Sequence, residues 1–182
     1  MSKDQRGSLY RPAMIALIAL LIALTTVFTR VLTIPIPGTQ EYLNLSDVAI
    51  TFAALVFGPW VGMIAGGVGT ALADLSTGAY AFWAPISLVA HGLEGFLIGW
   101  LARGRPSLPR MIFAWFVGST VMVTVYLVGA GLIEGWTIAR LGVPFNAFQA
   151  LLGGLLGIPL ALAVRRAYPA VEQLGRRRTW HE

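Results

Sequence analysis

His91 and Glu94 stand three residues apart within Trp83–Ala102, a stretch with no other ionisable side chain. On a helix that spacing puts both on one face. An ionisable group inside an apolar helix is costly, so it marks either a path for a ligand or proton, or a tie between helices. Asn146 and Gln149 repeat the same spacing later in the chain, and Asp74 is the one ionisable residue of Trp60–Leu75. Tyr80, Phe82, Trp83 and Trp136 add aromatic surface nearby. Together these residues predict a pocket for a small polar, cationic or aromatic molecule. The alternative is structural: His91 and Glu94 pair to hold helices together, Asp74 braces the loop after it, and Trp83 and Trp136 form part of an interfacial belt.

Enzymatic chemistry has little support. His91-x-x-Glu94 is not H-E-x-x-H, and the only other histidine is His181. With no cysteine, thiol catalysis and cysteine metal sites are excluded. The nucleophile motif G-x-S-x-G is absent. Lys3 is the single lysine, so no Walker A sequence exists and the chain cannot hydrolyse ATP through a P-loop. No catalytic residue, cofactor or metal is expected.

The elements that must carry these residues are membrane helices. Of 182 residues, 57% are hydrophobic and 12% charged, about half the ~25% that covers a soluble domain. Apolar runs predict six spans: Pro12–Ile34, Ser46–Phe57, Trp60–Leu75, Trp83–Ala102, Met111–Ile133 and Phe145–Val164. The prolines and glycine of Pro35-Ile36-Pro37-Gly38 stop the first. The second, with Ser46 or Asp47 as its cap, is too short to cross alone and requires protein around it. Eleven of the 13 basic residues fall in three groups: Lys3, Arg6 and Arg11; Arg103, Arg105 and Arg110; and Arg165, Arg166, Arg176, Arg177 and Arg178. Only six crossings put all three on one side, which makes that side, and both termini, cytoplasmic. The expectation is an all-α integral membrane protein in the cell membrane of a prokaryote. It forms a single transmembrane domain over 1–182, with a cytoplasmic segment 1–11 and a basic tail 165–182. The basic groups face lipid headgroups, and nucleic acid is not a partner.

Small residues set the packing. Gly58, Gly62, Gly66, Thr70 and Asp74 recur every four residues, and Gly153, Gly157 and Ala161 do so in the last span. Such stripes let helix backbones approach closely. Ala19 and Ala23 form an A-x-x-x-A in the first span, a surface on which a partner subunit could dock.

The order of Leu45-Ser46-Asp47, Phe57-Gly58-Pro59-Trp60-Val61-Gly62, Gly66-Gly67-Val68-Gly69-Thr70 through Asp74-Leu75, and Trp83-Ala84-Pro85 through His91-Gly92-Leu93-Glu94-Gly95 resembles the S components of energy-coupling factor (ECF) transporters. The likeness is greatest to the riboflavin and hydroxymethylpyrimidine branch and extends over nearly all six spans. It implies a six-helix vitamin-capture subunit with its ligand near the outer surface, closed over by the loops between spans 1 and 2, 3 and 4, and 5 and 6. It also implies a transmembrane coupling subunit that meets Ala19 and Ala23, together with two ATPase subunits. The substrate residues expected are Asp74, Tyr80, Trp83, His91, Glu94, Asn146 and Gln149. A thiamine-pathway pyrimidine is the leading ligand, with riboflavin or another vitamin open. The rival reading is a solitary ion-coupled carrier or channel in which Asp74, His91 and Glu94 relay protons.

Overall fold

A computed structural model of the chain describes residues 3–31 and 33–171. Six helices follow in order: α1 (Lys3–Val31), α2 (Ser46–Phe57), α3 (Pro59–Thr77), α4 (Ala84–Leu101), α5 (Leu108–Ile133) and α6 (Trp136–Ala167). A short hairpin, β1 (Ile34–Pro35) with β2 (Tyr42–Leu43), joins α1 to α2, and a single 3-10 turn, Ala81–Trp83, leads into α4. Its antiparallel register sets Ile34 opposite Leu43 and Pro35 opposite Tyr42. The all-helical expectation therefore holds except for this two-residue ladder.

Backbone chemistry explains where the helices break. Gly58 (φ +93°) turns the chain out of α2, and Pro59 opens α3, where its missing N–H costs nothing. Two expected boundaries are corrected. The last helix starts at Trp136 instead of Phe145. The break lies at Gly135, whose φ of +89° ends the preceding turn, whereas Pro144 is carried inside the helix at the loss of one backbone bond. Likewise Pro12 lies inside α1, which begins by Lys3. At the far end α6 runs to Ala167, so Arg165 and Arg166 belong to its last turn, where cations suit the helix dipole. The rest of the basic tail, with Arg176, Arg177, Arg178 and His181, lies outside the described residues.

The core is built around α2. Eleven of its 12 residues are buried, against α1, α3, α4 and α6. At ~1.5 Å per residue it is ~18 Å long, so it sits inside protein instead of facing lipid, as its length requires. Helices α3 and α4 lie almost backbone to backbone: a Cβ on Gly62 would come 2.7 Å from the Gly95 carbonyl oxygen. Large apolar side chains also coat the outside, among them Ile15, Leu20, Phe113, Phe116 and Leu155. Among the described residues, four helical stretches are long and apolar enough to cross a bilayer: Pro12–Val31, Ala81–Leu101, α5 and α6. Helix α3, diluted by four glycines and Asp74, is not among them. The chain is a multi-pass membrane protein.

Candidate functional site

The hairpin folds down on the neighbouring helix ends and is tied to each of them. Trp83 Nε1 donates to the Gln40 carbonyl (2.9 Å), and the Gln40 N–H donates to Glu134 Oε1 (2.8 Å) at the end of α5. Asn146 Nδ2 on α6 donates to Glu41 Oε2 (2.7 Å), and the Asn44 N–H donates to Gln149 Oε1 (2.9 Å). Tyr42 donates its hydroxyl hydrogen to Asp74 Oδ1 and stacks on Tyr80, with ring centroids 4.4 Å apart. Between these ties lies a cleft lined by Glu41, Tyr42, Asn44, Trp83, Ser87, Tyr126, Asn146 and Gln149. Its free volume is about 10 Å³, the room of a single water. In this conformation the cleft is too small for an organic ligand.

Electrostatics makes the closed hairpin conditional. Burial pushes the Glu41 carboxyl above its ordinary value; the Asn146 hydrogen bond opposes this and the Glu134 carboxylate adds to it. Burial also pushes the Tyr42 phenol up, and the adjacent Asp74 carboxylate adds to the shift. At neutral pH Tyr42 is therefore a hydrogen-bond donor to Asp74.

One layer deeper is a second cluster. His91 Nδ1 lies 3.0 Å from Glu94 Oε2 and 3.4 Å from Asp47 Oδ1. Glu94 Oε1 accepts from Ser119 Oγ (3.1 Å). Asp47 Oδ1 accepts from Gln149 Nε2 (3.1 Å) and Ser46 Oγ (3.2 Å). Asp47, His91 and Glu94 are each at most 1% exposed. Gln149 joins the two layers, since its amide oxygen serves the hairpin and its nitrogen serves Asp47. Helix α6 comes this close because residue 153 is glycine; a Cβ there would stand 2.5 Å from the Asp47 Cβ. Tyr126, which lines the cleft, sets its ring edgewise to His91 at 5.5 Å.

Of the seven residues expected from sequence, Trp83, Asn146 and Gln149 line the cleft, while Tyr80 and Asp74 stand behind Tyr42. His91 and Glu94 belong to the deeper cluster. Trp136 is 52% exposed on the first turn of α6, against Gly131, away from the cleft. Ala19 and Ala23 are both exposed on α1. Sequence reading missed Glu41, Tyr42, Asn44, Ser87 and Tyr126, and treated Asp47 only as a helix cap. The observed N-cap is Leu45, with no side-chain cap bond, and Asp47 turns inward from the first turn. One signal was available: Asp47 is the only acidic or basic residue between Glu41 and Asp74.

Comparison with known proteins gives three results. Residues 11–166 match the family model described as ECF-type riboflavin transporter, S component. Among curated proteins, an uncharacterized protein of Pyrococcus woesei encoded in the gap 3' region is 38% identical over 78% of this chain and 94% of its own length. The thiamine precursor transporter HmpT of Lactococcus lactis is 35% identical over 84% of this chain and 87% of its own. Among solved structures, the S component of a bacterial ECF transporter superposes with a TM-score of 0.65, covering 86% of this chain and 98% of that one at 22% identity. That last likeness concerns the fold.

Proposed function

This chain belongs to the S-component family of ECF-type riboflavin transporters, and from that premise we propose that it captures a thiamine-pathway hydroxymethylpyrimidine for import. The observation that carries the reading is the cleft beneath the hairpin, where hydrogen-bonding groups stand next to aromatic rings. An aminopyrimidine presents N–H donors and ring-nitrogen acceptors along one edge and a flat apolar face. Glu41 accepts, the Asn146 and Gln149 amides do both, and Trp83 with Tyr126 provides the flat walls. The similarity to HmpT, a thiamine precursor transporter, supports this ligand. Riboflavin is the second reading, favoured by the family model's own description, but its three-ring system needs a wider opening.

In this proposal six helices cross the prokaryotic cell membrane as one transmembrane domain, with both termini and the basic loops cytoplasmic. The hairpin then lies outside, and Trp83, Asn146 and Gln149 contact the ligand. Asp74 and Tyr80 hold Tyr42, and His91 with Glu94 forms the floor below. Energy comes from two ATPase subunits through a transmembrane coupling protein docked at Ala19 and Ala23. The test is calorimetry on purified protein with hydroxymethylpyrimidine and riboflavin in turn. Tight binding of the pyrimidine is expected; binding of riboflavin alone rejects the ligand assignment. Uptake by this chain in vesicles free of any ATPase would instead establish the ion-coupled carrier.

A further inference from the structure

The Asp47–His91–Glu94 cluster gathers three titratable side chains in one place away from solvent. Two carboxylates and an imidazole are sealed from solvent, and His91 itself is the basic group that pairs with both carboxylates. With both carboxylates ionised and the imidazole neutral the three side chains would carry two negative charges, a state that burial disfavours and that either a proton or a cation relieves. Two of their atoms, Asp47 Oδ2 and His91 Nε2, are buried without a hydrogen-bond partner, as is Thr51 Oγ1 one turn further along α2. Asp47 Oδ2 is a free oxygen that a cation at the cluster would engage, whereas His91 Nε2 is on the ring edge opposite the nitrogen that faces the carboxylates.

The spacing fits a particular class of cation. One ligand atom from each residue lies within 4.8 Å of the others, and two of the separations are 3.0 and 3.4 Å. Bonds of ~2.0–2.2 Å at tetrahedral angles set donor atoms ~3.3–3.6 Å apart, so the Asp47 separation fits and the hydrogen-bonded Glu94 oxygen would move outward by about 0.3 Å or more. A mixed imidazole and carboxylate set suits zinc-like borderline ions and is poorly matched to magnesium or calcium, which take oxygen alone. Supporting hydrogen bonds are already in place: Ser119 holds the far oxygen of Glu94, and Ser46 and Gln149 hold Asp47. The three ligands come from α2 and α4, and Gly66 on α3 lets that helix pack closely against both, since a Cβ there would meet the His91 carbonyl at 2.7 Å and Ile50 at 3.2 Å.

We propose that Asp47, His91 and Glu94 bind one divalent transition-metal cation of the zinc and cobalt class, beneath the vitamin cleft and separate from it. Three protein ligands leave a position for a further donor. Gln149, shared between Asp47 and the hairpin, links the metal's presence to the floor of the cleft.

The experiment uses untagged, chelator-stripped protein in detergent, with His181→Ala in the background to remove the only other histidine. Cobalt is titrated and followed by visible absorption, bound metal is counted by mass spectrometry, and zinc is assayed separately by thermal shift. One equivalent of cobalt with tetrahedral-type bands is expected, along with a zinc-induced rise in melting temperature. His91→Gln should abolish the bands, and Asp47→Asn or Glu94→Gln should weaken binding at least tenfold. Trp83→Ala should weaken the vitamin and leave the metal unchanged, so failure of one assignment does not imply failure of the other. Two results overturn the proposal: wild-type protein that takes up no stoichiometric metal and shows no zinc shift, or folded Asp47→Asn and Glu94→Gln variants that bind as the parent does. The wild-type measurements decide the matter even if a variant does not fold.

Discussion

Trp83 is where a single side chain does the most for the cleft. It is 2% exposed, walls the site and bonds the hairpin through Gln40. Trp83→Ala is expected to weaken ligand binding by at least tenfold, about 1.4 kcal/mol, in calorimetry on protein that still purifies as a single species. Glu41 gives the pH signature. Its folded-state pKa is raised, so its contribution to the closed hairpin is full below the ordinary value of 4.5. That contribution is lost as pH rises through the raised value. Hydrogen exchange at the hairpin amides should therefore speed up across that window in wild-type protein beyond the intrinsic rate increase, and Glu41→Gln should remove the excess. Excess acceleration that survives in Glu41→Gln would assign the effect to another group. Residue types alone showed Trp83, Asn146 and Gln149, because polar or aromatic groups at the end of an apolar span are conspicuous. Glu41 and Tyr42 were hidden in a polar loop, where any residue is unremarkable until the loop is seen folding back.

Among the elements, the closest contact is that of α3 with α4. Gly62 faces the Gly95 carbonyl on one side and the Ala54 Cβ, also at 2.7 Å, on the other. A larger side chain there has to push two backbones apart. Gly62→Leu is expected to cost more than the ~1–3 kcal/mol typical of overpacking and to lower the thermal unfolding midpoint clearly. Gly104→Ala, with nothing within 4 Å of its added Cβ but a φ of +87°, should cost about 1–2 kcal/mol of backbone strain. Equal midpoints for the two would refute the close-approach account. The glycine stripe that marks this contact was readable directly, since spacing by four encodes a helix face. The start of α6 was not, because proline is a strong local signal and Gly135 a weak one. Only the folded chain shows that the helix carries Pro144 and breaks at the glycine. Short α2 was legible in length and in its need for surrounding protein, but its inward-facing Asp47 had no periodic pattern to betray it.

At the scale of the molecule, the cleft and the open face of α1 are different surfaces. The cleft is held by the hairpin, α3, α4, α5 and α6, while α1 leaves Ala19 and Ala23 open along its outer side, with no part in the cleft. Leu21, Thr25 and Thr29 on the inner side of α1 are buried, so the helix is anchored by one face and free on the other. Small residues on the free face allow a partner helix to approach its backbone, and bulk there would hold that helix away. Ala19→Leu or Ala23→Leu is thus expected to leave calorimetric binding of the ligand unchanged while reducing uptake, in vesicles containing the ATPase module, to the level of a vesicle without this subunit. The comparison isolates docking because the cleft, the hairpin ties and the buried cluster all lie away from that face. Normal uptake by both variants would move the docking surface off α1. Loss of binding together with uptake would mean that α1 shapes the site after all, through its contact with α3, where Thr26 Oγ1 donates to the Gly69 carbonyl at 2.9 Å.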